Sequence, residues 1–185
     1  HLIKTVEDGV MKIVLNRPDA MNALSRDMMQ ALSDSLEEAA GTRAIGCVVV
    51  RGAGDKAFCA GGDVKSMAAG RDQDKTYEDK VHDIRERMKV SELLHERGKP
   101  TIAMVNGVAA GAGLSLALAC DMLVAARNAV FSVAYVKVGL TPDGGATAFL
   151  AEFVSRQVLT ELCLTGERIS GERLHALGPV NRLAE

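Results

Sequence analysis

The chain has 185 residues, 48% hydrophobic and 25% charged, which suits one globular domain with a substantial core. With 22 Lys+Arg against 24 Asp+Glu, the net charge of −2 gives no bulk attraction to nucleic acid or membrane. Aromatic residues make up only 3%, without Trp, which argues against base-stacking surfaces. Cys47, Cys59, Cys120 and Cys163 are scattered, with no CxxC pair and no His at metal-ligand spacing, so a reduced, cytoplasmic compartment without a metal site is expected. No signal-peptide pattern is visible. The apolar run from Val108 to Ala119 is rich in Gly and Ala and is broken by Cys120-Asp121. It reads as a buried helix followed by a strand, not a membrane span.

In chain order, LIKTVEDGVMKIVLNRP alternates, turns at Asp-Gly, alternates again and stops at proline, which predicts a β-hairpin. SRDMMQALSDSLEEAA has Ser25 as N-cap and apolar residues at helical spacing. IGCVVVRG is a short apolar, β-branched run and predicts a buried strand. DVKSMAAG reads as one or two helical turns, GRDQDKTYEDK as a mobile loop, and the residues from about Val81 to Arg97 as a long helix. KPTIAMVNG predicts the next buried strand, AGAGLSLALAC a helix starting at glycines, and DMLVAA and AVFSV two short strands. Helical segments follow PDGG to about Cys163, and RISGERLHALGPVNRL supplies a helix and a last strand. This alternation implies an α/β layered domain with a mainly parallel sheet. His82 and His95 lie in a charged helix and read as solvated, and His175 has no visible partner.

Three glycine-rich junctions recur at strand ends: FCAGGDVK (58–65), NGVAAGAG (106–113) and TPDGG (141–145). In a parallel sheet the strand carboxyl ends gather on one side, where ligands bind. Glycine lets the backbone approach a ligand closely, and N–H groups from two loops can form an oxyanion hole. Any one junction alone can equally be a helix cap or a turn. The glycine spacing of GVAAGAG is wrong for a dinucleotide loop, Gly-Lys-Ser/Thr is absent, and GLSLA lacks the G-x-S-x-G elbow.

LNRPDAMNALS, FCAGGDVKSM, KPTIAMVNGVAAGAGLSLALACDMLVAA and TGERISGERLHALGPVNRL together resemble the crotonase, or enoyl-CoA hydratase/isomerase, superfamily, in its order and spacing over essentially the whole chain. The resemblance implies a single core domain over residues 1–185, an α/β crotonase-like spiral of ββα repeats. It also implies a homotrimer or a dimer of trimers. The implied partner is an acyl-CoA thioester, with no separate cofactor because coenzyme A is carried by the substrate. Family members continue into C-terminal helices, whereas this chain ends just after a predicted strand, so a truncated chain lacking that helical part is expected.

Carried over residue by residue, the hole donors fall on the backbone N–H groups of Gly62 and Ala112. Ala60, Gly61, Gly62, Asp63 and Val64 match the segment wrapping the CoA adenine and pantetheine, and Ala20 and Ala23 match the opposite wall. Arg17 is a phosphate contact or an ordinary surface arginine. Family hydratases use two glutamates to activate water, where this chain has Ser115 and Tyr135; neither is a general base at neutral pH unaided, so hydration by that route is not expected. Hydroxyisobutyryl-CoA hydrolases in the family keep the second glutamate and fit poorly. Chlorobenzoyl-CoA dehalogenases pair an aspartate at position 143 with a histidine where this chain has Met88.

Taken alone, Pro142-Asp143-Gly144-Gly145 is a turn. AYVKVGLTPDGGAT, however, looks most like the epoxyphenylacetyl-CoA isomerase and Δ3,Δ2-enoyl-CoA isomerase branch, which keeps the aspartate and lacks both glutamates. On that resemblance Asp143 is the acid-base that moves a proton between carbons of an enolate, in a desolvated setting that raises its pKa. The alternative is a CoA-ester binder, or an enzyme of another CoA thioester. Ser115 is expected to face the pocket without chemistry and Tyr135 to pack.

Overall fold

The computed structural model describes residues 1–64, 76–96 and 98–185. The first hairpin forms as its sequence requires: β1 (Leu2–Glu7) and β2 (Val10–Leu15) are antiparallel, with Glu7 opposite Val10. Asp8 and Gly9, at φ 49° and 78°, make the tight two-residue link. Helix α1 (Arg26–Gly41) starts at Ser25, whose hydroxyl accepts the Met28 N–H at 3.3 Å. Its inward side chains Met28, Leu32, Leu36 and Ala39 are buried against the sheet that α1 crosses.

The remaining strands are β3 (Cys47–Gly52), β4 (Ala57–Cys59), β5 (Thr101–Val105), β6 (Val108–Ala110), β7 (Met122–Ala126), β8 (Val130–Ser132), β9 (Ile169–Ser170) and β10 (Arg182–Ala184). They divide between two sheets. The larger runs β1-β2-β3-β5-β7-β10, parallel except for the hairpin; the smaller runs β4-β6-β8-β9, parallel except for β8 with β9. The sequence led to one mainly parallel sheet, and the second sheet corrects that expectation. Three strands of the larger sheet hand the chain to a short strand of the smaller one: β3 to β4, β5 to β6, β7 to β8. This is the ββα spiral that the resemblance implied. Asn106, at the β5–β6 corner, joins the two sheets: it accepts the Gly52 N–H at 3.1 Å and donates to Gly54 O at 2.8 Å.

Helix α2 (Tyr77–Glu96) begins earlier than expected, so Tyr77 to Lys80 are helical rather than loop. Thr76 and Asp79 form a reciprocal cap, with Asp79 Oδ2 accepting from Thr76 N at 3.0 Å and Thr76 Oγ1 accepting from Asp79 N at 3.2 Å. The turns expected in DVKSMAAG beyond Val64, and the loop over 70–75, lie outside the described residues. The other helices are α3 (Ala112–Leu118), α4 (Ala146–Ala151), α5 (Arg156–Thr165) and α6 (Gly171–Leu177). Among the described residues no helix is long and apolar enough to cross a membrane.

One contiguous core holds both sheets and the helices, centred on Phe58, Phe131, Met11, Ile13, Leu15, Met28 and Leu32. His82 is exposed. His95 is exposed but rests on the Phe149 ring, with centroids 4.9 Å apart. His175 does have a partner: its Nδ1 lies 2.6 Å from Val180 O. Replacing the α1 cap, Ser25→Ala, is expected to lower stability by about 1 kcal/mol in urea denaturation, without changing the m-value.

Candidate functional site

The end of β4 is the first wall. Cys59 runs into Ala60-Gly61-Gly62-Asp63, which pairs with the segment after Pro18 as if it were a strand. Ala60 N donates to Met21 O at 3.0 Å, Leu24 N to Gly61 O at 2.8 Å, and Asp63 N to Leu24 O at 3.2 Å. Leu24 therefore bridges Gly62 in the parallel sense. In such a bridge the neighbours of Gly62 bond to Leu24, so the N–H of Gly62 itself points to the other side. The expected walls, Ala20 and Ala23 on one segment and Ala60 to Val64 on the other, thus belong to one hydrogen-bonded unit. Ala60 and Val64 are exposed, Ala20, Ala23, Gly62 and Asp63 half-buried, and Gly61 buried.

Two polar clamps hold that unit. Arg17 Nη2 meets Asp63 Oδ2 at 2.9 Å, and Arg17 Nη1 donates to Ala23 O at 2.8 Å. Arg17, left by the sequence as a phosphate contact or an ordinary surface arginine, ties the two walls together. Asn22 is fully buried at φ 55°, next to Met21 at φ 53°. It accepts the Arg17 N–H at 3.0 Å and donates to Ala53 O at 3.0 Å and Ala57 O at 2.8 Å. The sequence signal for it was slight: Asn is among the few residues that tolerate a left-handed backbone.

The second wall is the start of α3. A methyl group at Gly113 would overlap the Cys59 carbonyl oxygen, and one at Gly61, whose φ is 103°, would lie 2.9 Å from Ala110 O and 3.5 Å from Ala112 N. The two glycine-rich loops therefore touch backbone to backbone. Gly111 N is held by Ser132 O at 3.0 Å, and Ala112 is the first residue of α3, a position whose N–H finds no partner within its own helix. Cys59 lies inside this junction, and burial pushes its thiol up to about 12, so at neutral pH it is a packed hydrophobe and not a nucleophile.

The third element is the Asp143 turn, docked on the first turn of α3. Ser115 Oγ is 2.8 Å from Tyr135 Oη, and each hydroxyl is 3.2 Å from the Asp143 main-chain oxygen. Ser115 is 1% and Tyr135 6% exposed, so this contact is shielded from water. Burial pushes the Tyr135 phenol well above its usual range; the hydrogen bonds to Ser115 and to the Asp143 main chain oppose this, while the charge of the Asp143 carboxylate and its hydrogen bond with the phenol add to it. Tyr135 therefore stays protonated. The two positions expected to have lost glutamates do converge beside Asp143, but as a bonded pair rather than as a small residue and a packing ring. Asp143 itself is exposed, which corrects the desolvated carboxylate expected from sequence: the turn lies at the surface of the described residues. Met88, on α2, is also exposed and offers no imidazole.

The family model for enoyl-CoA hydratase/isomerase matches residues 5–184. The chain belongs to the enoyl-CoA hydratase/isomerase family. It is similar to 1,2-epoxyphenylacetyl-CoA isomerase of Escherichia coli K12, with 36% identity over 188 residues, covering 97% of this chain and 68% of that protein. It is also similar to crotonyl-CoA hydratase of Syntrophomonas wolfei, with 32% identity over 185 residues, covering 100% of this chain and 69% of that protein. Among solved structures, an enoyl-CoA hydratase from Polaromonas sp. JS666 superposes with a TM-score of 0.91 at 40% identity, covering 100% of this chain and 70% of that one. The chain thus spans about two thirds of the length of these relatives, whose names cover both hydration and isomerisation.

Gly113→Ala tests the backbone contact between the loops. It is expected to lose about 3 kcal/mol of stability, at the upper end for overpacking, whereas Gly41→Ala, where a methyl group meets nothing within 4 Å, should be neutral or better in the same thermal melt.

Proposed function

We propose that this chain acts on an acyl-CoA thioester as an isomerase, shifting a double bond through an enolate with Asp143 as the single acid-base. The observation that carries this reading is the Ser115–Tyr135 pair. Two hydroxyls bonded to each other occupy the ground beside Asp143, and neither can deprotonate water at neutral pH. Asp63, the other carboxylate on these loops, is paired with Arg17. A single carboxylate outside that ion pair suits proton transfer between carbons; hydration needs water activated as well.

In this reading the chemistry runs through two backbone donors and one carboxylate. The thioester oxygen lies against the N–H groups of Gly62 and Ala112, which take up negative charge as it develops there. Asp143 removes a proton from Cα of a 3-enoyl thioester, and the electron pair delocalises over the carbonyl and the adjacent double bond. The same carboxyl returns the proton to Cγ, leaving the double bond between Cα and Cβ. No redox partner is needed, and coenzyme A enters as part of the substrate, wrapped by Ala20 and Ala23 on one side and by Ala60, Gly61, Gly62, Asp63 and Val64 on the other. The same reading carries a homotrimer or dimer of trimers, which light scattering of the full chain would check.

A second reading has one observation in its favour: the exposure of Asp143 suits an ordinary turn in a CoA-ester binder. Deuterium wash-in at Cα and Cγ of a 3-enoyl-CoA, followed by mass spectrometry, separates the two. Wild type should incorporate deuterium with migration of the double bond. Asp143→Asn should lower that rate on the order of 10²–10⁴-fold, the usual scale for general acid–base catalysis, with acyl-CoA affinity unchanged. Acyl-CoA binding by wild type without any exchange would return Asp143 to the turn.

A further inference from the structure

The proton count around the Asp143 carbonyl is unusually complete. That oxygen accepts the Ala146 N–H at 3.1 Å, which uses one of its two lone pairs. Ser115 and Tyr135 bring two hydroxyl protons. Their mutual contact at 2.8 Å consumes one of them. The other is left for the Asp143 main-chain oxygen, 3.2 Å from both hydroxyls, with Gly111 O at 3.4 Å from Ser115 and the Asp143 carboxylate beside Tyr135 as competing acceptors. If Ser115 donates to Tyr135, the tyrosine proton goes to Asp143, at its carbonyl or its carboxylate; if Tyr135 donates to Ser115, the serine proton goes to the Asp143 carbonyl, the nearer of its two acceptors.

The hydroxyls come from elements twenty residues apart. Ser115 lies in the first turn of α3, three residues after Ala112, with its N–H bonded to Gly111 O at 3.1 Å. Tyr135 lies in the short 3-10 turn over Ala134–Val138. Helix α2 closes the third side: a methyl group at Gly144 would lie 3.3 Å from Ser115 Cβ and 3.5 Å from the Ser91 hydroxyl. The root of the Asp143 side chain is thus held by buried groups while its carboxyl end is exposed. With the backbone fixed, an aspartate has only two side-chain torsions; χ1 is confined to three staggered wells, which fixes where the carboxyl carbon can sit, and χ2 only turns the carboxylate about that carbon. Holding the carbonyl therefore holds the carboxylate relative to Ala112, because the same first turn of α3 carries both Ser115 and the candidate oxyanion donor.

We propose that Ser115 and Tyr135 are positioning residues, a hydrogen-bonded pair that grips the Asp143 carbonyl and aims its carboxylate at the carbon whose proton it moves. This rests on Asp143 being the acid-base. The pair acts only through Asp143: it touches neither the proton in transit nor the thioester oxygen.

The test is deuterium exchange at Cα of a 3-enoyl-CoA by the full chain, comparing wild type, Asp143→Asn, Tyr135→Phe, Ser115→Ala and the double variant Ser115→Ala/Tyr135→Phe. Each single variant leaves one hydroxyl on the carbonyl, so a kcat loss of about tenfold is expected; the double variant should lose about 10²-fold, the scale of a misplaced catalytic group. KM and the affinity for a saturated acyl-CoA should stay within about threefold, since the walls that hold coenzyme A are untouched and uniform binding is separate from transition-state terms. Wild-type exchange in a folded double variant, alongside an inert Asp143→Asn, would overturn positioning and leave the acid-base role standing. A KM that rises in step with the loss of kcat would overturn it too, by showing a damaged pocket. An inert wild type would remove the Asp143 role and this proposal with it. Should the double variant fail to fold, Tyr135→Phe decides, because it keeps the packed ring and removes only the hydroxyl: unchanged kcat overturns the proposal.

Discussion

Everything at this site depends on two polypeptide backbones passing with no side chain between them. The strand end at Cys59–Gly61 lies directly against the Gly111–Gly113 segment, close enough that a single methyl group at Gly113 would collide with the Cys59 carbonyl. The proposed pair of N–H donors, from loops fifty residues apart, needs that closeness, because a side chain on either loop would separate them by several ångströms. The ββα repeat supplies the geometry. Three strands of the six-stranded sheet, β3, β5 and β7, each pass to a short strand of the four-stranded sheet, β4, β6 and β8.

Around this contact the polar side chains act as pins. Asn22, fully buried, joins the segment after Pro18 to the β3–β4 loop through the carbonyls of Ala53 and Ala57. Arg17 reaches across both walls to Asp63 and Ala23. Asn106 and Thr101 do comparable work nearer the sheet, the latter through Asp121 at 2.9 Å. Buried polar groups cost free energy unless satisfied, so such pins favour one loop arrangement over its neighbours. Ser115 and Tyr135 extend the pattern to the Asp143 turn. Asp143 thus sits on a short, clasped turn, where little can move independently.

Much of this was legible in the chain itself. Asp8-Gly9 between alternating runs specifies the first hairpin, and Ser25 ahead of a 3.6-residue apolar period specifies α1; both are local effects that need no distant partner. Of the second sheet, β8 was legible in AVFSV, but β4, β6 and β9 were not, because two or three residues carry too little periodicity to separate a strand from a turn. The start of α2 was signalled, by Thr76 and Asp79 at capping-box spacing, but the polar run around it outweighed that signal. Of the site, the three glycine junctions and the aspartate were visible as motifs. The ion pair of Arg17 with Asp63 was not, since a surface arginine after a strand looks the same whether its partner is a phosphate or a carboxylate.

The amino-acid sequence by itself determined the α/β class, the alternation of elements, the glycines that permit close approach and the absence of glutamates at positions 115 and 135, since these depend on residue type and local spacing. The tertiary structure decided which of those residues meet. The division into two sheets, the contact of Cys59 with Gly113, and the joining of Ser115 to Tyr135 over the Asp143 carbonyl all link segments far apart in the chain. It also placed the Asp143 carboxylate in the open, where local turn chemistry is silent about solvent. Side-chain type and periodicity act over a few residues; hydrogen bonds and backbone contacts between distant segments form only once the core has brought those segments together.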